Sequence, residues 1–148
     1  GVKLKLSYTK SIVKNKNIIL IDDSLVRGTT CHKIVKMLYE AGAKEVHVRI
    51  ACPEIKFPDF YGVDMPTKEE LLASKRDIKQ MSEYIGAKSL RFLSLDGTYK
   101  ALIGEKRNPL YPQFSDHYFT GDYPVKPSDN LLGLKVKQLS LLSGKSNN

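Results

Sequence analysis

Cysteine is scarce in this chain. The two residues, Cys31 and Cys52, cannot build a disulfide framework and form no C-x-x-C pair. No His, Cys and Asp residues sit at zinc-ligand spacing, so no structural zinc is expected. No apolar run approaches the roughly 18 residues of a membrane-spanning helix, which excludes a membrane partner of that kind. The opening residues GVKLKLSYTK have no apolar signal-peptide core, and together with the lone cysteines they set the expectation of a reducing, cytoplasmic setting. A start at Gly1 rather than Met adds the expectation that the chain is cut from something longer. Arginine is scarce too, with five against nineteen lysines. A net charge of +8 would suit nucleic acid or an anionic small molecule, but the lysines are scattered and no basic stripe carries interleaved aromatics. No nucleic-acid partner is expected.

What remains is an ordinary globular composition, 41% hydrophobic and 27% charged over 148 residues, enough for one domain with a real core. Ile18 to Ile21 is a short, mostly β-branched run and reads as a strand covered on both faces. From Thr30 the period becomes helical, with Ile34, Val35 and Leu38 on one face and Gly42 as the stop. KEVHVRIA then alternates, placing Val46, Val48 and Ile50 on one side of a second strand. Strand, helix, strand within this span is a βαβ unit, so the fold class is α/β with a parallel sheet and flanking helices. Downstream, Thr67 with Glu70 and Asp77 with Gln80 are capping-box patterns. SLRFLSL (residues 89–95) is a third strand and TYKALIG (98–104) a short helix. Residues 108–127 are rich in Pro, Tyr and Phe without periodicity, and LKVKQLSLL (134–142) is weakly amphipathic.

The stretch IILIDDSLVRGTT, Ile18 to Thr30, carries the chemistry. Ligands in open α/β sheets bind at the carboxyl ends of strands. Asp22 and Asp23 stand at such an end, and Ser24 to Thr30 turn into a helix whose N-terminal amides and dipole favour a phosphate. Gly28 lets backbone approach a ligand, and Thr29 and Thr30 add hydroxyls. The two carboxylates can accept from sugar hydroxyls or hold a divalent cation, so a phosphorylated ribose would satisfy both ends of the loop. An apolar strand ending in acids also describes the magnesium strand of P-loop ATPases, but the G-x-x-x-x-G-K-[ST] loop is absent. GKS at Gly144–Ser146 has Leu139 where the first glycine should stand. Simple helix capping by the acids is the plain structural alternative.

This stretch resembles the phosphoribosyl-pyrophosphate (PRPP) motif of type I phosphoribosyltransferases. Its D-D-S-x-V-R-G-T-T form looks like that of the amidophosphoribosyltransferase family. YEAGAKEVHVRIACPEI, FPDFYGVDMPTKEELLA, EYIGAKSLRFLSLDG and FTGDYP are similar to blocks of the same family, so the resemblance covers roughly residues 1–127. It implies a type I phosphoribosyltransferase fold, incomplete in this chain. Residues 1–112 would be the C-terminal half of that domain and 113–148 a C-terminal extension. It implies that Asp22 and Asp23 contact the ribose diol and Mg²⁺, and that Ser24, Arg27, Gly28, Thr29 and Thr30 hold the 5′-phosphate. No residue of the segment is expected to act as a catalytic nucleophile. The family enzyme forms 5-phosphoribosylamine from PRPP and glutamine-derived ammonia in the first step of de novo purine biosynthesis.

Departures from the family pattern carry expectations of their own. The glutamine-hydrolysing domain and the first half of the phosphoribosyltransferase domain, with its pyrophosphate loop, have no counterpart here, so the fragment alone is expected to be inactive. Some members hold an iron–sulfur cluster through cysteines, but this chain has Asp59 at one ligand position and FSDHYFTG at another, so no cluster is expected. A homo-oligomer is expected for a full-length protein. Three alternatives stand beside this: a non-catalytic PRPP-binding remnant, a regulatory module that senses PRPP, and a salvage enzyme acting on a base. His32, His47 and Arg49 are expected at the surface or in a strand ladder. His117 is left out of the site because nothing near it in sequence would orient it.

Overall fold

The computed structural model describes residues 10–62 and 67–125. Its centre is the alternating strand β2 (Glu45–Ile50), whose Val46, Val48 and Ile50 are buried while the intervening Glu45, His47 and Arg49 are only half-buried. β1 (Asn17–Asp22) lies on one side and β3 (Ser89–Phe92) on the other, giving a parallel sheet of order β1-β2-β3. The register pairs Leu20 with Val48 and Val48 with Leu90.

A short helix, α1 (Lys10–Val13), precedes the sheet, and α2 (Thr29–Glu40) forms the crossover between β1 and β2. A single 3₁₀ turn (Lys68–Glu70) and α3 (Leu72–Lys75) lead into α4 (Ile78–Ile85), which runs up to β3. Cys31, Val35 and Leu38 of α2 and Met81 and Ile85 of α4 pack with Val46, Val48 and Leu90, so both helices cover the same sheet face. Both expected capping boxes form. Asp77 Oδ1 accepts from the Gln80 amide at 2.8 Å and Gln80 Oε1 from the Asp77 amide at 3.0 Å, and Glu70 Oε2 accepts from the Thr67 amide at 3.1 Å. The next helix, α5 (Leu95–Ile103), starts three residues before the expected Thr98, because Ser94 Oγ accepts from the Gly97 amide at 3.0 Å and caps it. A last short helix, α6 (His117–Thr120), lies in the aromatic stretch.

One expectation is corrected. β1 is not covered on both faces: Ile19 is 64% and Ile21 73% exposed. Among the described residues the strand is the edge of the sheet, with β2 as its one neighbour. Ile18 and Leu20 pack against the core that α2 and α4 share with β2, and no helix among the described residues covers the other face. An apolar run cannot by itself distinguish a strand covered twice from one waiting for its second cover.

The segment around Phe57 is held to the aromatic stretch by polar contacts. The amides of Lys56 and Phe57 both donate to the Tyr118 carbonyl, at 2.9 and 3.1 Å. Asp116, buried, accepts from the Tyr99 hydroxyl at 2.8 Å and from Arg107 Nε at 2.6 Å, while Arg107 Nη2 reaches Asp122 at 2.6 Å. No helix among the described residues is long and apolar enough to cross a membrane. The amphipathic stretch 134–142 and the GKS sequence lie outside the described residues.

Candidate functional site

β1 ends where its side chains become acidic. The Asp22 carbonyl still accepts from the Ala51 amide at 2.9 Å, and beyond it the chain leaves the sheet. Asp22 Oδ1 accepts from the Asp23 amide at 3.1 Å, and Ser24 Oγ donates to Asp23 Oδ1 at 2.7 Å, which sets the two carboxylates at the mouth of the turn. Leu25, 3% exposed, anchors the turn in the core. Gly28 then takes a left-handed conformation (φ 78°, ψ −7°) and starts α2.

Glycine is required here on two counts. A side chain is strained at that φ, and a Cβ would stand 2.8 Å from Leu72 Cδ2 and 3.1 Å from Tyr84 Cε1. Among the described residues no side chain caps α2, and its first turn contains no acid, so the leading N–H groups stay open to a ligand. Thr29 and Thr30 are exposed beside them. Residues Asp22 to Cys31 line one cleft of about 470 Å³. All seven residues singled out in the sequence (Asp22, Asp23, Ser24, Arg27, Gly28, Thr29 and Thr30) therefore meet in one place.

Arg27 is the exception in detail. It lines the cleft, but its Nη2 pairs with Glu70 Oε1 at 3.0 Å. Glu70, Leu72 and Tyr84 are contributors that the sequence did not reveal. Glu70 was legible only as a capping residue, and nothing local points from Leu72 or Tyr84 to Gly28.

Burial disfavours the thiolate form of both cysteines beside the acids. Burial, followed by the Asp22 charge, pushes Cys31 up to about 11. Burial and the Asp23 charge push Cys52 to about 11, against a lowering hydrogen bond from the Leu25 backbone. Both stay protonated near neutral pH. Among the described residues no three His, Cys, Asp or Glu side chains gather as a metal cage. The Asp22–Asp23 pair nevertheless suits Mg²⁺, which is commonly held by one or two carboxylates with water and substrate phosphate completing the shell.

His117 lies apart from this cleft, and its surroundings differ from expectation. It is 1% exposed, and Nε2 stands 2.9 Å from Asp59 Oδ1, so a residue distant in sequence does orient it. Tyr118 and Tyr123 lie against the ring, with centroids 4.0 and 5.0 Å away, and Nδ1 is buried without a hydrogen-bond partner among the described residues. His32 is exposed, and His47 Nδ1 meets Ser89 Oγ at 2.8 Å in a cross-strand ladder.

No family model matches the chain. It is 54% identical over 144 residues to amidophosphoribosyltransferase from Rhizobium etli, covering 97% of this chain and 29% of that protein. The Staphylococcus aureus (strain Mu50) enzyme of the same name is 52% identical over 125 residues, 84% of this chain and 25% of its own length. Amidophosphoribosyltransferase 1, chloroplastic, from Arabidopsis thaliana is 47% identical over 138 residues, 93% of this chain and 23% of its own. Among solved structures, glutamine PRPP amidotransferase from B. subtilis complexed with ADP and GMP superposes with a TM-score of 0.72 at 45% identity, covering 81% of this chain and 26% of that one. A second, described as the allosteric regulatory enzyme of purine biosynthesis, gives 0.67 at 41% identity, with the same 81% and 26% coverage.

The parallel sheet with its flanking helices is thus part of a type I phosphoribosyltransferase fold. Within that class the chain belongs with the amidophosphoribosyltransferases, matching a C-terminal portion of them. It spans less than a third of the length of the curated relatives it matches.

Proposed function

We propose that this chain is the C-terminal phosphoribosyltransferase portion of an amidophosphoribosyltransferase and that its Asp22–Thr30 loop binds the ribose 5-phosphate of PRPP. The complete enzyme would make 5-phosphoribosylamine from PRPP and glutamine-derived ammonia at the entry to purine synthesis. The observation that carries the reading is the single cleft in which the Asp22–Asp23 pair faces the Gly28-started, uncapped end of α2. Acceptors for a diol and donors for a phosphate stand at opposite ends of nine residues.

In that reaction the bond from the anomeric carbon to pyrophosphate breaks, a bond to the ammonia nitrogen forms, and a proton is released. Positive charge grows on the ribose as the leaving group departs. Asp22 and Asp23 would stabilise that charge and orient the diol, while the Thr29 and Thr30 amides and hydroxyls, and the Ser24 hydroxyl once turned from Asp23 Oδ1, would fix the phosphate. Mg²⁺ held by the two carboxylates would neutralise the departing pyrophosphate. No side chain of the loop needs to form a covalent bond.

The rest of the reading goes with this. The 112/113 division, residence in the cytoplasm and a homo-oligomeric full-length protein are part of it, as is the absence of nucleic-acid and membrane partners. So is the absence of an iron–sulfur cluster, because the resemblance puts Asp59 where clustered members of the family have a cysteine. A PRPP-binding module without chemistry is the second reading, favoured because among the described residues one continuous segment, Asp22 to Cys31, lines the cleft.

The test is a titration of the 148-residue chain with PRPP and with ribose 5-phosphate, followed by phosphorus NMR with and without Mg²⁺. Saturable, Mg²⁺-dependent PRPP binding that Asp23→Asn abolishes is expected. Absence of binding, or binding indifferent to Asp23→Asn, would sink the assignment. No pyrophosphate release is expected from the isolated chain with ammonia, and turnover would overturn that expectation.

A further inference from the structure

The loop proposed to hold the phosphate does not stand alone, because residues 67–72 brace it in three ways. The Leu72 amide donates to the Val26 carbonyl at 2.8 Å. The Leu72 side chain occupies the space beside Gly28. Arg27 directs Nε and Nη2 at the same Glu70 oxygen, Oε1, at 3.2 and 3.0 Å. Glu70 is itself held, since its other oxygen accepts from the Thr67 amide at 3.1 Å and from Thr67 Oγ1 at 3.4 Å. The Thr67 amide, and after it Arg27, keep the Glu70 carboxyl below the usual carboxylate range, so it is an anion wherever a phosphate would bind.

Fold stability is a poor explanation for this pair. Its side chains are 54% and 47% exposed, and exposed ion pairs contribute little. What the pair does supply is direction. An arginine side chain loses several rotamers when it is ordered against a ligand, and a carboxylate that orders it beforehand removes that cost from binding.

We infer that Glu70 is a positioning residue for the phosphate loop: it grips the Nε–Nη2 edge of Arg27 and leaves the guanidinium at the cleft rim, ready for the 5′-phosphate. Nη1 takes part in neither Glu70 contact, so that edge of the planar fork is available for a phosphate oxygen. The inference rests on Asp22–Thr30 being a ribose 5-phosphate site. It adds that the 3₁₀ turn, distant in sequence, tunes affinity through one arginine.

The experiment titrates the full chain with ribose 5-phosphate in the presence of Mg²⁺, comparing wild type with Glu70→Ala, Glu70→Gln, Arg27→Ala and the Arg27→Ala/Glu70→Ala double variant. Glu70→Ala is expected to weaken binding about threefold to fivefold. Glu70→Gln keeps one acceptor oxygen but sets its NH2 against either Arg27 or the Thr67 amide, so it is expected to bind more weakly than wild type and no more weakly than Glu70→Ala. Arg27→Ala is expected to lose about tenfold, and adding Glu70→Ala to it should change nothing further. Glu70→Asp, which withdraws the oxygen by one methylene but retains the charge, is expected to match Glu70→Ala and serves if the alanine variant does not fold. Unchanged or tighter binding by Glu70→Ala would overturn the inference, as would an equal loss in the Arg27→Ala background. If the wild-type chain binds no ribose 5-phosphate, the site reading falls and this inference falls with it. Normal wild-type binding beside an indifferent Glu70→Ala removes the inference alone.

Discussion

Two residues show how a single position can set local structure. Gly28 must be left-handed and must present no Cβ to Leu72. Gly28→Ala is therefore expected to destabilise the chain by about 2 kcal/mol, combining αL strain with a forced shift of Leu72. Chemical denaturation measures it, and a loss within experimental error would refute the close seat. At Asp116, burial alone would raise the pKa, but the Arg107, Tyr99 and Thr120 hydrogen bonds outweigh it and hold the carboxyl below the ordinary 3.8. With the folded value below the unfolded one, Asp116 stabilises the chain above 3.8, and that contribution is lost as pH falls through the folded value. Asp116→Asn should cost about 2 kcal/mol at pH 7, as for a buried charged hydrogen-bonding group. The gap should narrow when denaturation is repeated below 3.8, and a gap independent of pH would contradict the account.

At the scale of elements, caps do much of the punctuation. Ser94→Ala removes the acceptor for the Gly97 amide and should cost about 1 kcal/mol, read as a lower denaturation midpoint, whereas an unchanged midpoint would mean that α5 does not depend on its cap. The early start of α5 was hidden because Gly97 interrupts SLDGTYK, and a glycine there argues for a loop until its amide is seen to reach Ser94. By contrast β2, the boxes at Thr67 and Asp77 and the loop Asp22–Thr30 were legible, since alternation, capping and strand-to-helix turns are local signals. The bracing of Gly28 by Leu72 and Tyr84 and the pairing of His117 with Asp59 were not. They join segments far apart in sequence, and only the folded chain brings them together.

Taken together, the described residues form a sheet with an open side. Ile19 and Ile21 project from a strand that has one hydrogen-bonded neighbour among the described residues, and such edges and apolar faces invite association. The chain by itself is expected to self-associate as its concentration rises. Ile19→Lys with Ile21→Lys should shift it toward monomer in analytical ultracentrifugation. A wild-type chain that stays monomeric throughout would show that this face is shielded.

The strands lie side by side in the order in which they are made, β1, β2, β3. During synthesis the sheet can thus be laid down progressively, each new strand joining the last one placed. The cleft does not mature on that schedule. Asp22 to Thr30 leave the ribosome before β2, yet Gly28 finds its seat only when Leu72 and Tyr84 have emerged. A nascent chain halted after Ile50 would own every residue of the loop and still lack its floor.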